Sequence, residues 1–528
     1  MFGILEIALV LATVGISTYL YFRNSYQYWK KRNVPYILPS IPWGTNINPI
    51  RAKKSFLVHI KDSYDIFKAE RHALGGLYLI SKPALLIVEP ELIKKILSKD
   101  FVYFTGHGIH VDEKKDPMSG NLFSLDGDKW KSMRVKLTPT FTSGKIKMMY
   151  HAMLTCGEPM VEHLKTLSYK GELLNAKEVL ACFTTDVIGS CAFGIDCNSF
   201  KDPDSEFRKF GRQIFDLSWR ASFYRLIKLI IPRLKLSTMN EEVKNFFSNS
   251  FKDIVISRQA SKQKRNDFVQ LMLEINEKAE TNGTNDSLSI GQMLAQSVMF
   301  FAAGFETSST TMTFCLHELA HKLDIQEKLR KEITTTIQKH DGKLTYDAIM
   351  EMKYLNIVLE ETLRKYPPGA LINRVCTKDY FIEEKNLRKY PPGALINRVC
   401  TKDYFIEEKN IKIEAGTTVF ISILGLHRDP EYFVNPNSFD PERFSDENKS
   451  RIRSYTYLPF GEGPRICIGL RFGILQAKVG LCLLLKNFAF TPHESMKYDM
   501  EFHRNSQVLS FQNDLLLKIK EVIRYGIS

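Results

Sequence analysis

Apolar residues fill the first stretch of the chain, from Gly3 to Phe22 (GILEIALVLATVGISTYLYF), with Glu6 its one charge. That length suits a single bilayer crossing of ~20 residues. Arg23, Lys30, Lys31 and Arg32 come next, and then Pro35, Pro39 and Pro42. A cleaved signal peptide carries its positive charge before the apolar run, and here the order is reversed. The pattern predicts a retained membrane anchor over 1–22 and a basic, proline-stiffened linker over 23–45. Everything after residue 23 is then expected on the cytosolic side.

Beyond residue 45 the pattern is mostly helical. Short strands are expected near 76–89 and 411–424, where β-branched and aliphatic residues cluster between turn signals. The polar stretch 276–287 (NEKAETNGTNDS) predicts a surface loop, and its Asn282-Gly-Thr284 sequon stays idle in a cytosolic body. Residues 223–236 interleave apolar positions with Arg225, Lys228, Arg233 and Lys235, a pattern that fits a core helix or an amphipathic patch, and the basic interleaving favours a patch resting on a membrane surface. A long helix is expected from Ile290 to about Lys322, and another after residue 469, with Leu475, Val479 and Leu483 on one face.

Composition narrows the class. The 528 residues are 44% hydrophobic, enough for a large core, and carry a net charge of +14 from 73 basic and 59 acidic residues. The charge is spread along the chain with no nucleic-acid motif beside it, so nucleic acid is excluded as a partner. Nine cysteines contain no CxxC pair, which argues against a disulfide scaffold or zinc ribbon and for a reducing compartment.

The densest chemistry lies in residues 460–469, FGEGPRICIG. Gly463 and Gly469 let the backbone turn tightly around Cys467. The helix after it should present its positive end to the sulfur and depress the thiol pKa. Such a loop suits a thiolate held against a metal. Within the expected long helix, AAGFETSSTT places Gly304 and several hydroxyls in an apolar surround. A spot so weak is expected to open around a small ligand.

These residues together resemble the cytochrome P-450 monooxygenases, over nearly the whole chain. The resemblance implies a mainly α fold with small β-sheets, one haem-thiolate domain over 46–528, and haem bound through Cys467. Phe460, Gly461 and Gly469 would shape the ligand loop. Trp130, Arg134 and Arg465 would hold the haem propionates, with Arg374 beside them. Thr307 and Glu306 would handle water and protons at the oxygen side. Glu361, Arg364 and Arg443 would form a buried scaffold rather than a catalytic group. A nicotinamide, flavin or Walker motif is absent from the sequence. The resemblance accordingly implies electrons from a membrane-bound NADPH-dependent diflavin reductase, with cytochrome b5 as a second donor. It places the chain on the cytosolic face of the endoplasmic reticulum, in contact with membrane lipid. Residues 137–149 and 186–195 look like the insect microsomal branch, which oxidises lipophilic xenobiotics such as plant toxins and insecticides. Loops around 101–124 and 205–236 are expected to line the substrate pocket. A haem-thiolate isomerase of lipid peroxides is the alternative, and a protein inactivated by its own duplication is a third reading.

That duplication departs from the family pattern. LRKYPPGALINRVCTKDYFIEEKN occurs at 363–386 and again at 387–410. The second copy cannot rebuild the Glu361-x-x-Arg364 spacing, because Lys385 stands three residues before Arg388. Extrusion of the extra length at Glu383–Asn386 is expected to cost least, since a longer surface loop loses little entropy. That expectation keeps Arg374 at the haem and displaces Arg398.

Overall fold

The computed structural model describes residues 3–45, 54–109, 111–215, 240–261, 264–284, 286–369, 398–399, 404–406, 411–504, 506 and 508–522. The 223–236 segment and Arg374 therefore lie outside the described residues, as does most of the 205–236 loop.

The N-terminal apolar run forms one helix, Ile4–Ser25, long and apolar enough to cross a membrane and buried only at Phe22. The basic segment after it is not a free linker. Tyr26, Trp29 and Val34 are buried, with Trp29 fully so. Trp29 donates from Nε1 to Leu77 O at 3.0 Å and from its backbone N–H to Tyr78 Oη at 3.1 Å. The Tyr78 hydroxyl in turn donates to Tyr26 O at 2.9 Å. A buried indole needs a partner for its N–H, and the sheet edge supplies one. The segment is thus a strap fastened to the domain.

The strand expected near 76–89 is a hairpin of β1 (Leu74–Leu79) and β2 (Lys82–Ile87), turned at Ile80 with φ 59°. Downstream come β3 (Leu174–Asn175), β4 (Arg398–Val399), β5 (Tyr404–Ile406), β6 (Ile411–Ile413), β7 (Thr418–Ile421), β8 (Phe488–Pro492) and β9 (Leu516–Glu521). They assemble as β1-β2-β7-β4, β3-β9-β8 and β5-β6. The 411–424 stretch is likewise divided, because Gly416 turns at φ 87° between β6 and β7. The expected 276–287 loop starts later than its polarity suggested. The helix Phe268–Thr281 runs through Glu277, Lys278, Ala279 and Glu280, which are good helix formers. Asn276 then ties the loop's far end by two bonds to the Leu288 backbone, at 2.9 and 2.7 Å.

At the centre lies the helix Ile290–His321, started by a capping box between Ser289 and Gln292. The helices Ala176–Ile188, Leu470–Asn487 and Lys353–Lys365 pack on it, and Ser143–Lys170 packs on the first two. Gly304 does not open the central helix, which is continuous through it. Its lack of a side chain serves packing instead: a Cβ there would meet Ile188 Cδ1 at 2.7 Å.

The duplicated segment folds against the expectation from its sequence. Through Gly369 the described chain belongs to the first copy, with Tyr366 buried and Leu509 N–H bonded to Pro368 O at 3.2 Å. The strands come from the second copy. Arg398 pairs with Val419 and Val399 with Thr418, and Tyr404–Ile406 pairs with Ile411–Ile413. The expectation that the second copy is the displaced one is therefore overturned, since Arg398–Val399 and Tyr404–Ile406 are its strands; Glu383–Asn386 lie outside the described residues. Loop closure gives the reason: β5 and β6 close a short hairpin only if β5 is the adjacent copy, and the first copy would have to span a long loop. Arg398, which the sequence reading displaced, occupies the strand position beside β7.

Candidate functional site

The cysteine loop is built by its backbone. Leu458 O accepts Gly461 N–H at 3.0 Å, Gly463 O accepts Ile466 N–H at 2.9 Å, and Phe460 O accepts Cys467 N–H at 3.0 Å. Gly461 and Gly463 both sit at positive φ, 76° and 75°. Gly463 has a second constraint, since a Cβ would lie 2.0 Å from Leu97 O. Gly469 caps the helix Leu470–Asn487, and its backbone N–H points at the Cys467 sulfur.

Cys467 is enclosed by protein yet has an accessible side chain, whereas Cys182, Cys191, Cys315 and Cys482 are all buried. The surface it exposes therefore faces an internal space. On the central helix, Ala303 is exposed and Gly304 and Thr307 are half-exposed, although the residues on either side are buried. A Cβ built on Gly461 meets nothing within 4 Å. An accessible sulfur deep in the fold, with open space beside its loop, suits a large flat cofactor ligated through sulfur.

Electrostatics correct one expectation. The Cys467 thiol lies above its ordinary pKa, because burial outweighs the Gly469 N–H and the positive charge of Arg134, which both favour the thiolate. The helix begins three residues after the cysteine, at Leu470, and its positive end acts on the sulfur through the N-cap Gly469 N–H, which burial outweighs. A bound metal reverses the balance, since a coordinated thiol loses its proton outright.

The cationic groups divide by burial. Arg134 is half-buried on the helix Gly127–Leu137, and burial lowers its pKa against the opposing pull of Cys467. Arg465 is buried and donates to Leu122 O at 3.3 Å, Leu125 O at 2.5 Å and Asp126 Oδ1 at 3.5 Å. Its guanidinium also covers the Trp130 ring at 4.3 Å. Desolvation takes its pKa down to about 9. Trp130 packs under Arg465 and against Phe101.

The scaffold group assembles around a carboxylate. Glu361 and Arg364 are fully buried, with Arg364 Nε to Glu361 Oε2 at 2.6 Å and Nη2 to Oε1 at 2.8 Å. Arg443 Nε lies 3.5 Å from Glu361 Oε1, and Asp440 N–H donates to the same oxygen at 2.8 Å. Burial raises the Glu361 pKa and Arg364 opposes it.

Thr307 and Glu306 diverge. Thr307 donates from Oγ1 to Ala303 O at 2.6 Å and keeps an accessible face. Glu306 turns to Lys177 on the neighbouring helix, 2.8 Å from Nζ, which also reaches Thr310 Oγ1 at 2.7 Å and Ser309 Oγ at 3.1 Å. The sequence alone does not single out Lys177. Its signal is faint, a lone lysine in the first turn of a distant helix.

Known proteins bear on this arrangement. The Cytochrome P450 family model matches residues 57–387 and 381–519, breaking across the duplication. Probable cytochrome P450 6a23 of Drosophila melanogaster is 38% identical over 525 residues, covering 98% of this chain and 100% of the relative. Cytochrome P450 6k1 of Blattella germanica is 38% identical over 521 residues, covering 95% and 94% respectively. Cytochrome P450 6A1 of Musca domestica is 36% identical over 523 residues, covering 97% and 98%.

Proposed function

The chain belongs to the cytochrome P450 family and is a haem-thiolate monooxygenase, and we propose that it oxidises lipophilic xenobiotics at the endoplasmic-reticulum membrane. The observation that carries the reading is Cys467: an accessible sulfur inside the fold, on a loop shaped by two positive-φ glycines. The three relatives above are insect proteins, which supports the xenobiotic class. The apolar helix Ile4–Ser25, with Arg23 in its last turn and Lys30 beyond it, supports a cytosolic catalytic domain.

Haem held here would supply the oxygen chemistry, and a thiolate ligand would favour O–O cleavage. Cys467 is its ligand in this reading, and Gly469 N–H stabilises the negative sulfur. Arg134, Arg465 and the residue beside β7, Arg398, supply positive charge for the haem's acidic edge. Trp130 holds the Arg465 guanidinium in place. Thr307 Oγ1, already bonded to Ala303 O, can hold a water on the accessible face of the central helix. Glu306 can take up and return a proton at its carboxylate, with Lys177 holding it ready. Electrons come from a membrane-bound NADPH-dependent reductase, with cytochrome b5 as an additional donor.

Full-length protein reconstituted with reductase in phospholipid vesicles, given NADPH and 18O2, tests the reading. Lipophilic substrates should gain one labelled oxygen only when NADPH and reductase are both present. Conversion of lipid peroxides without reductant, and no labelled product, would instead identify an isomerase.

A further inference from the structure

His427 ends the short helix Ile423–His427 and is fully buried. Its Nδ1 lies 3.0 Å from Arg364 O and its Nε2 lies 2.9 Å from Leu458 N. The partners fix the tautomer. A carbonyl only accepts, so Nδ1 carries the hydrogen; a backbone N–H only donates, so Nε2 is bare. The connection to Arg364 is double, because Arg364 Nη1 donates back to His427 O at 2.6 Å. Tyr457 stacks on the ring with centroids 5.3 Å apart. Burial and then the Arg364 charge push the imidazole pKa down to about 3. The ring therefore stays neutral, as both bonds require.

Leu458 is the mouth of the cysteine loop. Its carbonyl accepts Gly461 N–H, and two residues on, Phe460 O accepts Cys467 N–H. Leu458 N–H is buried and has His427 as its partner, so losing the imidazole leaves a buried donor unpaired. We propose that His427 is a positioning residue for the haem ligand: its imidazole ties the mouth of the cysteine loop to Arg364, and so fixes where Cys467 is presented. Glu361 clamps Arg364 from the other side. The scaffold carboxylate and the ligand loop are thereby joined through one ring.

The inference rests on Cys467 as the ligand, and the experiment separates the two. Full-length haem-loaded protein is compared as wild type, His427→Leu, His427→Asn and His427→Gln, by the ferrous carbon-monoxide spectrum and by haem transfer to apomyoglobin. The amide of Gln has its nitrogen and oxygen in the same one-three relation as the two ring nitrogens, so it can bridge both partners. Asn is one carbon shorter and cannot span them. Leu329→Ala, a cavity in a buried position of the helix Leu323–Lys339, controls for general destabilisation.

His427→Leu and His427→Asn should move the carbon-monoxide band from thiolate-type toward thiol-type and speed haem loss about tenfold, as loss of a ligand-orienting partner does. His427→Gln should stay close to wild type, and Leu329→Ala should keep the thiolate-type band. If His427→Leu does not fold, the comparison of Gln with Asn carries the test. Equal behaviour of Gln and Asn, an unchanged band in His427→Leu, or the same band shift in Leu329→Ala would overturn the proposal. A wild-type chain without a thiolate-type band would overturn the Cys467 assignment together with it.

Discussion

Lys177 Nζ lies 2.8 Å from Glu306 Oε1, joining the first turn of the helix Ala176–Ile188 to the middle of the central helix. The pair is partly shielded, with side chains 28% and 16% exposed. Thr307, the next residue, instead turns its hydroxyl onto its own helix. The two residues singled out together by sequence thus have different partners, and their replacements should have different consequences.

Glu306→Gln removes the titratable group but keeps its size. Turnover should fall by about 10²-fold if the carboxylate moves protons, with haem content unchanged. Thr307→Ala should instead preserve NADPH consumption while product falls and peroxide rises. Steady-state turnover and peroxide assays read both. Wild-type turnover in Glu306→Gln would leave that carboxylate as a structural partner of Lys177 alone.

Gly463→Ala and Gly461→Ala separate conformation from contact. Both positions have positive φ, but only at Gly463 would a Cβ strike backbone, 2.0 Å from Leu97 O. Gly461→Ala should cost about 1 kcal/mol in stability and retain haem. Gly463→Ala should fail to retain it, as haem-to-protein absorbance ratios will read.

Removing one partner of a fully buried ion pair leaves the other charge uncompensated. Arg364→Leu should therefore destabilise the protein by about 3–5 kcal/mol, measured as a shift in urea midpoint. Arg443→Leu, which loses the 3.5 Å contact to Glu361 and a 3.1 Å hydrogen bond to Asn435 O near the surface, should cost less. A larger effect at Arg443 would reverse their assigned ranks.

Glu89 supplies a pH dependence. Burial raises its carboxyl from 4.5 to about 7, with Arg453 3.8 Å away as the main opposing charge. The folded state then binds a proton that the unfolded state has lost between these values, so stability falls as pH rises from 4.5 to about 7. Above that the penalty is complete, up to about 3 kcal/mol. Glu89→Gln should stabilise the protein at pH ~8 and change little near pH ~4.5. Urea denaturation at the two pH values checks this, and an equal effect at both would remove Glu89 as the cause.

Fold and site differed in how legible they were. The anchor helix, the central helix and the cysteine loop come from local signals: an apolar run, apolar periodicity and a tight Gly-x-x-x-Cys-x-Gly spacing. Tertiary contact decided the rest. Gly304 reads as a weak point in the helix, but its neighbour Ile188 comes from a helix far away in sequence. The Trp29 strap reads as a linker because its partners, Leu77 and Tyr78, lie dozens of residues on. The two copies at 363–410 are identical in sequence, so only loop closure distinguishes Arg398 from Arg374. His427 gave no motif at all, because its role is defined by two backbone atoms.

The central claim is that this chain, duplication included, binds haem through Cys467. The direct measurement is the reduced carbon-monoxide difference spectrum of the full-length protein beside its Cys467→Ala variant. The wild type should give a thiolate-type Soret band and the variant should give none. A histidine-type band or no band in the wild type, or a thiolate-type band that survives in Cys467→Ala, would contradict the account.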